Sequence, residues 1–499
     1  MPAFFKPRSL VLYPALLIAA FVFAQGDPGT AQCWQVWHDS QVPDVLMTEL
    51  HDQYDSDITG LQIADKKLRL AVVTDRQELQ TDLLDNLKKG HFIFHTPVNA
   101  LLDSVAGELY RGNPWLHTRP RVLLSWYPWP NATCRGEGTI VFNLGLIDRL
   151  RTTSELAFVV AHEMAHQELD HVNKSIEDVN ARLLAAEFRA ELRAVLRKEY
   201  DRVAELERLF VGFSVNERRH SRLHESAADS LALILVTHSP FDPKGALDVM
   251  DVLLACDNER DTVPVDARWA LEHPGVDFRD EWTQETAISS LSAVDTRNRA
   301  LSDSLRTHPD CAVRKAALAA VIGELPDARS FNTTYLVYAK LAEVGLVESA
   351  FLVDDAGRAA FLAFQLLRQT PDDPYLNAAL ARAFAVMYIN AGRHTLSDVL
   401  AQPSVRRSKS YSRMLQTMHR MRMSDMLALA EHYLEAARGA NGTCEETLYA
   451  ATLVAYARKD TNALDATRGA YTAAFPEGRH TEKLLALDLA PPVAPRKKR

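Results

Sequence analysis

His162-Glu163-Met164-Ala165-His166 is the segment around which this chain is organised. On a helix, residues four apart lie on one face, so the two imidazoles can hold one zinc ion. Glu163 lies beside them, where its carboxylate can act as a general base on water. The preceding residues 156–160 are apolar, and burying such polar groups requires a partner or a metal. The segment therefore predicts a zinc centre on a buried helix, with a structural histidine pair as the alternative.

A catalytic zinc ion uses three protein ligands and keeps a fourth position open. One large class of zinc proteases has its third histidine six residues after the second, but this chain has Val172 there. His171 follows His166 by five residues, which places it off the ligand face of the helix.

Glu225-Ser226-Ala227-Ala228-Asp229 supplies the better candidate for the third ligand. Glu225 and Asp229 are again four residues apart on one helix, so Glu225 can bind the metal while Asp229 hydrogen-bonds a ligating imidazole. The small residues Ala227 and Ala228 allow a close approach of two helices. An exposed acidic helix face is the alternative interpretation.

Both motifs resemble those of the zinc metallopeptidase family (gluzincins) that contains the CAAX prenyl protease, the HtpX protease and soluble periplasmic relatives such as BepA. Members carry H-E-x-x-H and then E-x-x-A-D on a later helix. The chain departs from the common pattern at Ala227, where the family has a glutamate. The resemblance covers residues 95–320. Its other matching segments are Pro130-Asn131-Ala132, Gly138-Thr139-Ile140-Val141, Gly145-Leu146, Glu155-Leu156-Ala157, Phe241-Asp242-Pro243-Lys244-Gly245-Ala246 and Thr307-His308-Pro309 with Arg314.

The resemblance implies a site and a reaction. His162, His166 and Glu225 would bind one zinc ion per chain, and Glu163 would be the general base. Zinc lowers the pKa of water and polarises a scissile carbonyl. A β-rich run near the cleft would hold the substrate as an added strand. The residues of this run are Thr139, Ile140, Val141 and Phe142.

His308 and Arg314 follow in a segment that resembles a loop near the active site of the family. Three roles are open for His308. It can be a fourth zinc ligand that keeps the enzyme latent, or it can donate to the oxyanion while Arg314 adds charge. It can also only shape the turn before a helix over 311–322. Of the two functional roles we favour the fourth zinc ligand, because an exported protease must be kept inactive until it is needed.

The fold class is predicted to be mainly α with a small antiparallel β-sheet, an α+β zincin-type metallopeptidase domain, followed by an all-α region. The β-rich runs 122–126 and 139–142 are separated by a glycine-containing loop that favours antiparallel pairing. Alternation of Leu68, Leu70 and Val72 predicts a further strand. After about residue 325 the pattern is helical and resembles tetratricopeptide hairpins, with an irregular helical domain as the alternative.

The composition is globular, since 47% of the residues are hydrophobic, which excludes a wholly disordered chain. The 56 Lys and Arg against 65 Asp and Glu predict no nucleic-acid partner. Lys6 and Arg8 precede an apolar run over 10–23, which predicts a signal peptide cleaved after Ala24, with an uncleaved anchor as the alternative. No later apolar run reaches about 20 residues, so we expect no transmembrane segment in the mature chain.

These features predict five segments along the chain. They are a signal peptide (1–24), an N-terminal segment of the protease domain (25–95), a zinc metallopeptidase domain (96–325), a tetratricopeptide-like helical domain (326–490) and a disordered basic tail (491–499).

The predicted protein is an exported, periplasmic or secreted zinc metalloendopeptidase. Its substrates would be proteins or peptides of the cell envelope, cleaved in protein quality control. The helical C-terminal region would contact envelope assembly machinery. The alternative is a chaperone-like binding scaffold that acts through its helical repeats, with the protease latent.

Overall fold

The computed structural model describes residues 42–198, 201–256, 264–284, 311–323, 335–404, 407–441 and 444–487. The predicted signal peptide, His308 and the basic tail lie outside these ranges. The predicted class, an α-rich protein with a small sheet and a helical C-terminal region, is confirmed. Within the described residues, no helix is both long enough and apolar enough to cross a membrane.

The N-terminal elements alternate helices with the four strands. They are α1 Asp44–Thr59, α2 Lys66–Lys88, β1 Phe92–Ile93, α3 Pro97–Gly112, β2 Arg121–Ser125, β3 Ala132–Cys134 and β4 Thr139–Asn143. The central helices follow as α4 Leu144–Arg149, α5 Thr153–Glu168, α6 His171–Leu184, α7 Ala186–Leu196, α8 Arg202–Thr237, α9 Gly245–Cys256, α10 Ala267–Leu271 and α11 Cys311–Ile322.

The C-terminal region is helical in all its described parts. Its helices are α12 Leu336–Leu352, α13 Ala356–Leu367, α14 Pro374–Gly392, α15 Lys409–Arg420, α16 Met423–Asn441, α17 Glu445–Arg458, α18 Thr461–Ala474 and α19 Thr481–Leu485. The 3-10 helix Leu396–Asp398 lies among them, and another, Asp280–Thr283, precedes α11. Helix α14 lies centrally and contacts α13, α16 and α17.

The sheet is mixed, with the strand order β1-β2-β4-β3. Strand β2 runs parallel to β4, with Val122 opposite Ile140, so the predicted antiparallel pairing of these two runs is wrong. The reason is β3, which pairs antiparallel with β4. The chain crosses to the outer edge as β3, turns through Gly138 (φ +86°) and returns as β4. The glycine-containing turn therefore joins β3 to β4 and does not join β2 to β4.

The strand predicted from Leu68, Leu70 and Val72 is also wrong, because these residues belong to helix α2. Asp65 starts this helix, since its side chain accepts hydrogen bonds from the backbone N–H groups of Lys67 and Leu68. An alternation of only three apolar residues is a weaker signal than this cap.

Helix α5 forms the centre of the protease region. The Thr152 side chain accepts the backbone N–H of Glu155 at 3.1 Å and caps the helix. Residues from Thr153 to Ala165 are buried, since the helix is enclosed by α3, α8, α9 and the sheet. Polar side chains on this helix therefore lie inside the protein.

The C-terminal helices share one hydrophobic core with the protease region. Helix α12 packs on α4, and the Tyr335 hydroxyl donates to the Ile147 carbonyl at 2.9 Å. The Ser349 hydroxyl donates to the carbonyl of Trp126 in the loop after β2. The boundary predicted near residue 325 is thus a change of pattern in the sequence without a break in the core.

Candidate metal centre

Two helices bring three potential metal ligands together: His162 and His166 from α5, and Glu225 from α8. The spacing of four residues places both imidazoles on the face of α5 that meets α8. Ala161, Ala165 and Ala228 are fully buried, and their small side chains allow the two helices to approach closely.

The donor atoms of these three residues converge on one point. The two histidine Nε2 atoms are 3.0 Å apart. The carboxylate oxygens of Glu225 lie 3.5 Å from Nε2 of His162 and 3.4 Å from Nε2 of His166. Donors that bind zinc at about 2.0–2.1 Å with tetrahedral angles are about 3.3 Å apart. The three side chains therefore fit a single zinc ion.

The electrostatic surroundings also favour a positive charge at this point. Burial disfavours the charged form of His162, but contacts with Asp229 and Glu225 outweigh this effect and raise the pKa of His162 to about 10. Burial likewise opposes the charge of Glu225, yet His162, His166 and Arg314 lower its pKa. A site that stabilises a cation between ionised carboxylates suits a divalent metal.

Asp229 and Arg314 form a buried layer behind the ligands. Asp229 Oδ1 lies 3.0 Å from Nδ1 of His162, a position from which a carboxylate can orient an imidazole. The Arg314 guanidinium donates to Asp229 through Nε at 2.6 Å and Nη2 at 2.7 Å, and its Nη1 lies 2.7 Å from Glu225 Oε2. Against the effect of burial, this pairing lowers the pKa of Asp229. Arg314 thus holds the carboxylates of Glu225 and Asp229, and its predicted contribution to oxyanion charge stays a prediction.

Glu163 contacts the outer strand of the sheet. Its Oε2 accepts the backbone N–H of Cys134 at 2.6 Å. Burial raises the pKa of this carboxyl, although the adjacent histidines act in the opposite direction. A carboxylate with a raised pKa beside a metal site is suited to accept a proton from water.

Sequence reasoning placed His171 off the ligand face but missed its contact with His166, and it missed His224. His171 is not among the three converging ligands, but its Nδ1 lies 3.1 Å from Nδ1 of His166. The His171 and His224 rings stack with centroids 4.2 Å apart. Burial, followed by the neighbouring His166 and His224, lowers the pKa of His171 to about 3. The contact depends on Asp170, whose left-handed backbone (φ 56°) reverses the chain after α5, and helical spacing does not reveal such a turn.

The strand predicted to bind substrate does not have a free edge. Both sides of β4 are paired, with β2 on one side and β3 on the other, so Thr139, Ile140, Val141 and Phe142 lie inside the sheet. The outer strand next to the site is β3. A small apolar cavity of about 20 Å³ adjoins His162 and Glu163, between Leu146 of α4 and Met250 of α9.

Residues 109–322 match the family model described as peptidase family M48. This confirms the resemblance predicted from the two motifs. No curated protein gives a significant match to the chain.

Proposed function

From the match of residues 109–322 to peptidase family M48, we propose that the chain is a zinc metallopeptidase. It would cleave exported or cell-envelope proteins at a centre formed by His162, His166 and Glu225. The convergence of three donor atoms within 4.8 Å of one another carries this assignment of ligands. Bound zinc would supply Lewis acidity toward a peptide carbonyl.

In this mechanism Glu163 moves the proton. Its carboxylate takes a proton from the attacking water and delivers it to the amine that leaves when the peptide bond breaks. The hydrogen bond from the Cys134 N–H holds this carboxylate beside the site. Asp229 orients His162, and Arg314 keeps Asp229 and Glu225 in place. The buried pairing limits the movement of these groups during the reaction.

A substrate would bind along β3. In the antiparallel register, Thr133 is opposite Val141, and the next hydrogen bonds to β4 come from Asn143 to Asn131 and from Arg135 to Thr139. The backbone groups of Ala132 and the carbonyl of Cys134 therefore point to the outer edge, where an extended peptide can add a strand. The N–H of Cys134 on the same edge is used by Glu163.

The physiological role we propose is quality control in the cell envelope, with a soluble, BepA-like organisation. The predicted signal peptide supports an exported location. The helical C-terminal region would contact envelope assembly machinery. Because this region shares its core with the protease domain, a partner bound there would contact helices that pack on the same core as the metal centre.

Casein cleavage by purified protein tests the catalytic part of the proposal. We expect wild-type cleavage to stop with a chelator and to return with zinc. Glu163→Gln should retain zinc and lose about 10²-fold or more of the cleavage rate, since it removes the general base. Unchanged cleavage in this variant would contradict the role of Glu163, and loss of its zinc would make Glu163 a ligand.

A further inference from the structure

The outward nitrogens of the two proposed zinc-binding histidines meet different chemical groups. His162 Nδ1 lies 3.0 Å from Oδ1 of Asp229. His166 Nδ1 lies 3.1 Å from Nδ1 of His171. The first partner is an ionised carboxylate held by Arg314, and the second is an imidazole. The metal centre is therefore supported by a charged group on one side and by a ring on the other.

The chemistry of metal binding determines which nitrogen carries the proton in the contact between His166 and His171. A neutral histidine that binds metal through Nε2 carries its proton on Nδ1. The Nδ1–H of His166 then points at Nδ1 of His171, which must act as the acceptor. A neutral His171 that accepts at Nδ1 carries its own proton on Nε2. The side chain is buried, and burial disfavours the charged form that would place a second donor against His166.

His171 is oriented from two directions. The left-handed backbone of Asp170 folds His171 back against the last turn of α5. The His224 ring, from the residue before Glu225 on α8, stacks on it with an interplanar angle of 13°. His171 is thus fixed between the two helices that supply the proposed ligands.

We propose that His171 is a positioning residue of the zinc centre, accepting the Nδ1–H of His166 and so fixing the tautomer and the orientation in which His166 offers Nε2 to the ion. This inference rests on the proposed function. An imidazole acceptor also has an electrostatic consequence. A carboxylate in its place would add a negative charge beside Glu225 and Asp229 and reduce the polarising power of the ion.

Three variants of the full chain distinguish the effect of the acceptor atom of His171 from the effect of its ring. His171→Phe keeps a flat ring against His224 and removes the acceptor. His171→Asn places an acceptor oxygen near the position of Nδ1 and removes the ring. His117→Asn is the control, because His117 is an exposed histidine that contacts Glu168 near the same helix end.

The measurement is the zinc dissociation constant, obtained by competition with a chromophoric chelator, together with the unfolding temperature of each metal-free protein. For His171→Phe we expect zinc binding to weaken about 10- to 100-fold, the usual cost of removing a group that orients a metal ligand. His171→Asn and the control should stay within about threefold of wild type, because the first retains the acceptor and the second does not touch the centre. The unfolding temperature of metal-free His171→Phe should equal that of wild type.

Wild-type zinc affinity in His171→Phe would overturn the inference. Equal weakening in His171→Phe and His171→Asn would also overturn it, since the ring would then matter and the acceptor would not. If His171→Phe does not fold, the test is the visible absorption spectrum of the cobalt-substituted His171→Asn protein. The inference requires this spectrum to match that of the cobalt-substituted wild type, and a different spectrum would overturn it. A wild-type chain that binds no zinc would instead contradict the proposed function itself.

Discussion

The metal centre and the C-terminal region each bury a group of charged side chains, but the two groups are built in opposite ways. In the C-terminal group Arg382 donates to Glu348 at 3.0 Å, and Nε2 of His480 lies 2.6 Å from Glu446. There Arg382 and Arg479 face the carboxylates of Glu348 and Glu446, and His480 lies against Glu446. At the metal centre two imidazole nitrogens and a carboxylate face one another around a common point. Buried charge alone therefore does not identify a metal site, whereas the convergence of lone pairs does.

We name the C-terminal group, which is Glu348, Arg382, Glu446, Arg479 and His480, the C-terminal ion cluster. It connects α12, α14 and α17 with the chain before α19. All its members except the half-buried Arg479 are buried, and an uncompensated charge in such a place is costly. Its predicted function is thus structural, and the two regions should respond differently to mutation and to metal.

The largest expected effect comes from breaking the C-terminal ion cluster. Arg382→Met leaves Glu348 and Glu446 buried without this cation, and we expect the free energy of unfolding to fall by about 3–5 kcal/mol. The control Glu431→Ala removes a solvent-exposed ion pair with Arg458 and should cost less than about 1 kcal/mol. Denaturant titration measures both. If both variants lost the same small amount of unfolding free energy, the cluster would not stabilise the fold.

Removal of metal should have the next largest effect, and only where the ligands are intact. Free zinc at a hundredfold excess over its dissociation constant stabilises a folded protein by about 2.7 kcal/mol. Thermal unfolding of the wild type should therefore occur at lower temperature after chelation, and His166→Ala should show no such change. A chelation effect of the same size in His166→Ala would place the stabilising metal elsewhere.

Acid should act on the C-terminal ion cluster through His480. Burial lowers the pKa of His480 from 6.5 to about 4, although Glu446 opposes this. Between these two values the unfolded chain binds a proton that the folded chain does not, so stability is lost as the pH falls through this window. This group contributes at most about 1.4 kcal/mol per pH unit. In His480→Gln the free energy of unfolding should decline less steeply between pH 6.5 and 5 than in the wild type. An equal slope of the free energy of unfolding in both proteins would show that His480 titrates normally.

Local rules revealed the parts of the site that depend on helix periodicity. The spacing of His162 with His166 and of Glu225 with Asp229 is enough to predict that each pair shares a face. The role of His171 could not be predicted, because it depends on one left-handed residue, Asp170.

The sheet was harder to predict, because strand pairing is not local. The sequence suggests strands near 122–126 and 139–142 but does not show that β3 forms the outer strand of the sheet, next to β4. Because of this single feature, β2 and β4 pair in parallel, and the edge proposed to bind substrate is that of β3 and not of β4. The shared core of the two regions was likewise invisible, because α4 and α12 meet across almost two hundred residues.

The central claim is that Glu225 is the third protein ligand of one zinc ion, and metal content tests it most directly. The matched variants are Glu225→Ala and Glu168→Ala, since Glu168 lies two residues after His166 but contacts His117. After dialysis against buffered zinc, elemental analysis should find about one zinc ion per chain in the wild type and in Glu168→Ala, and much less in Glu225→Ala. Equal zinc content in the two variants would contradict the account and place the third ligand elsewhere.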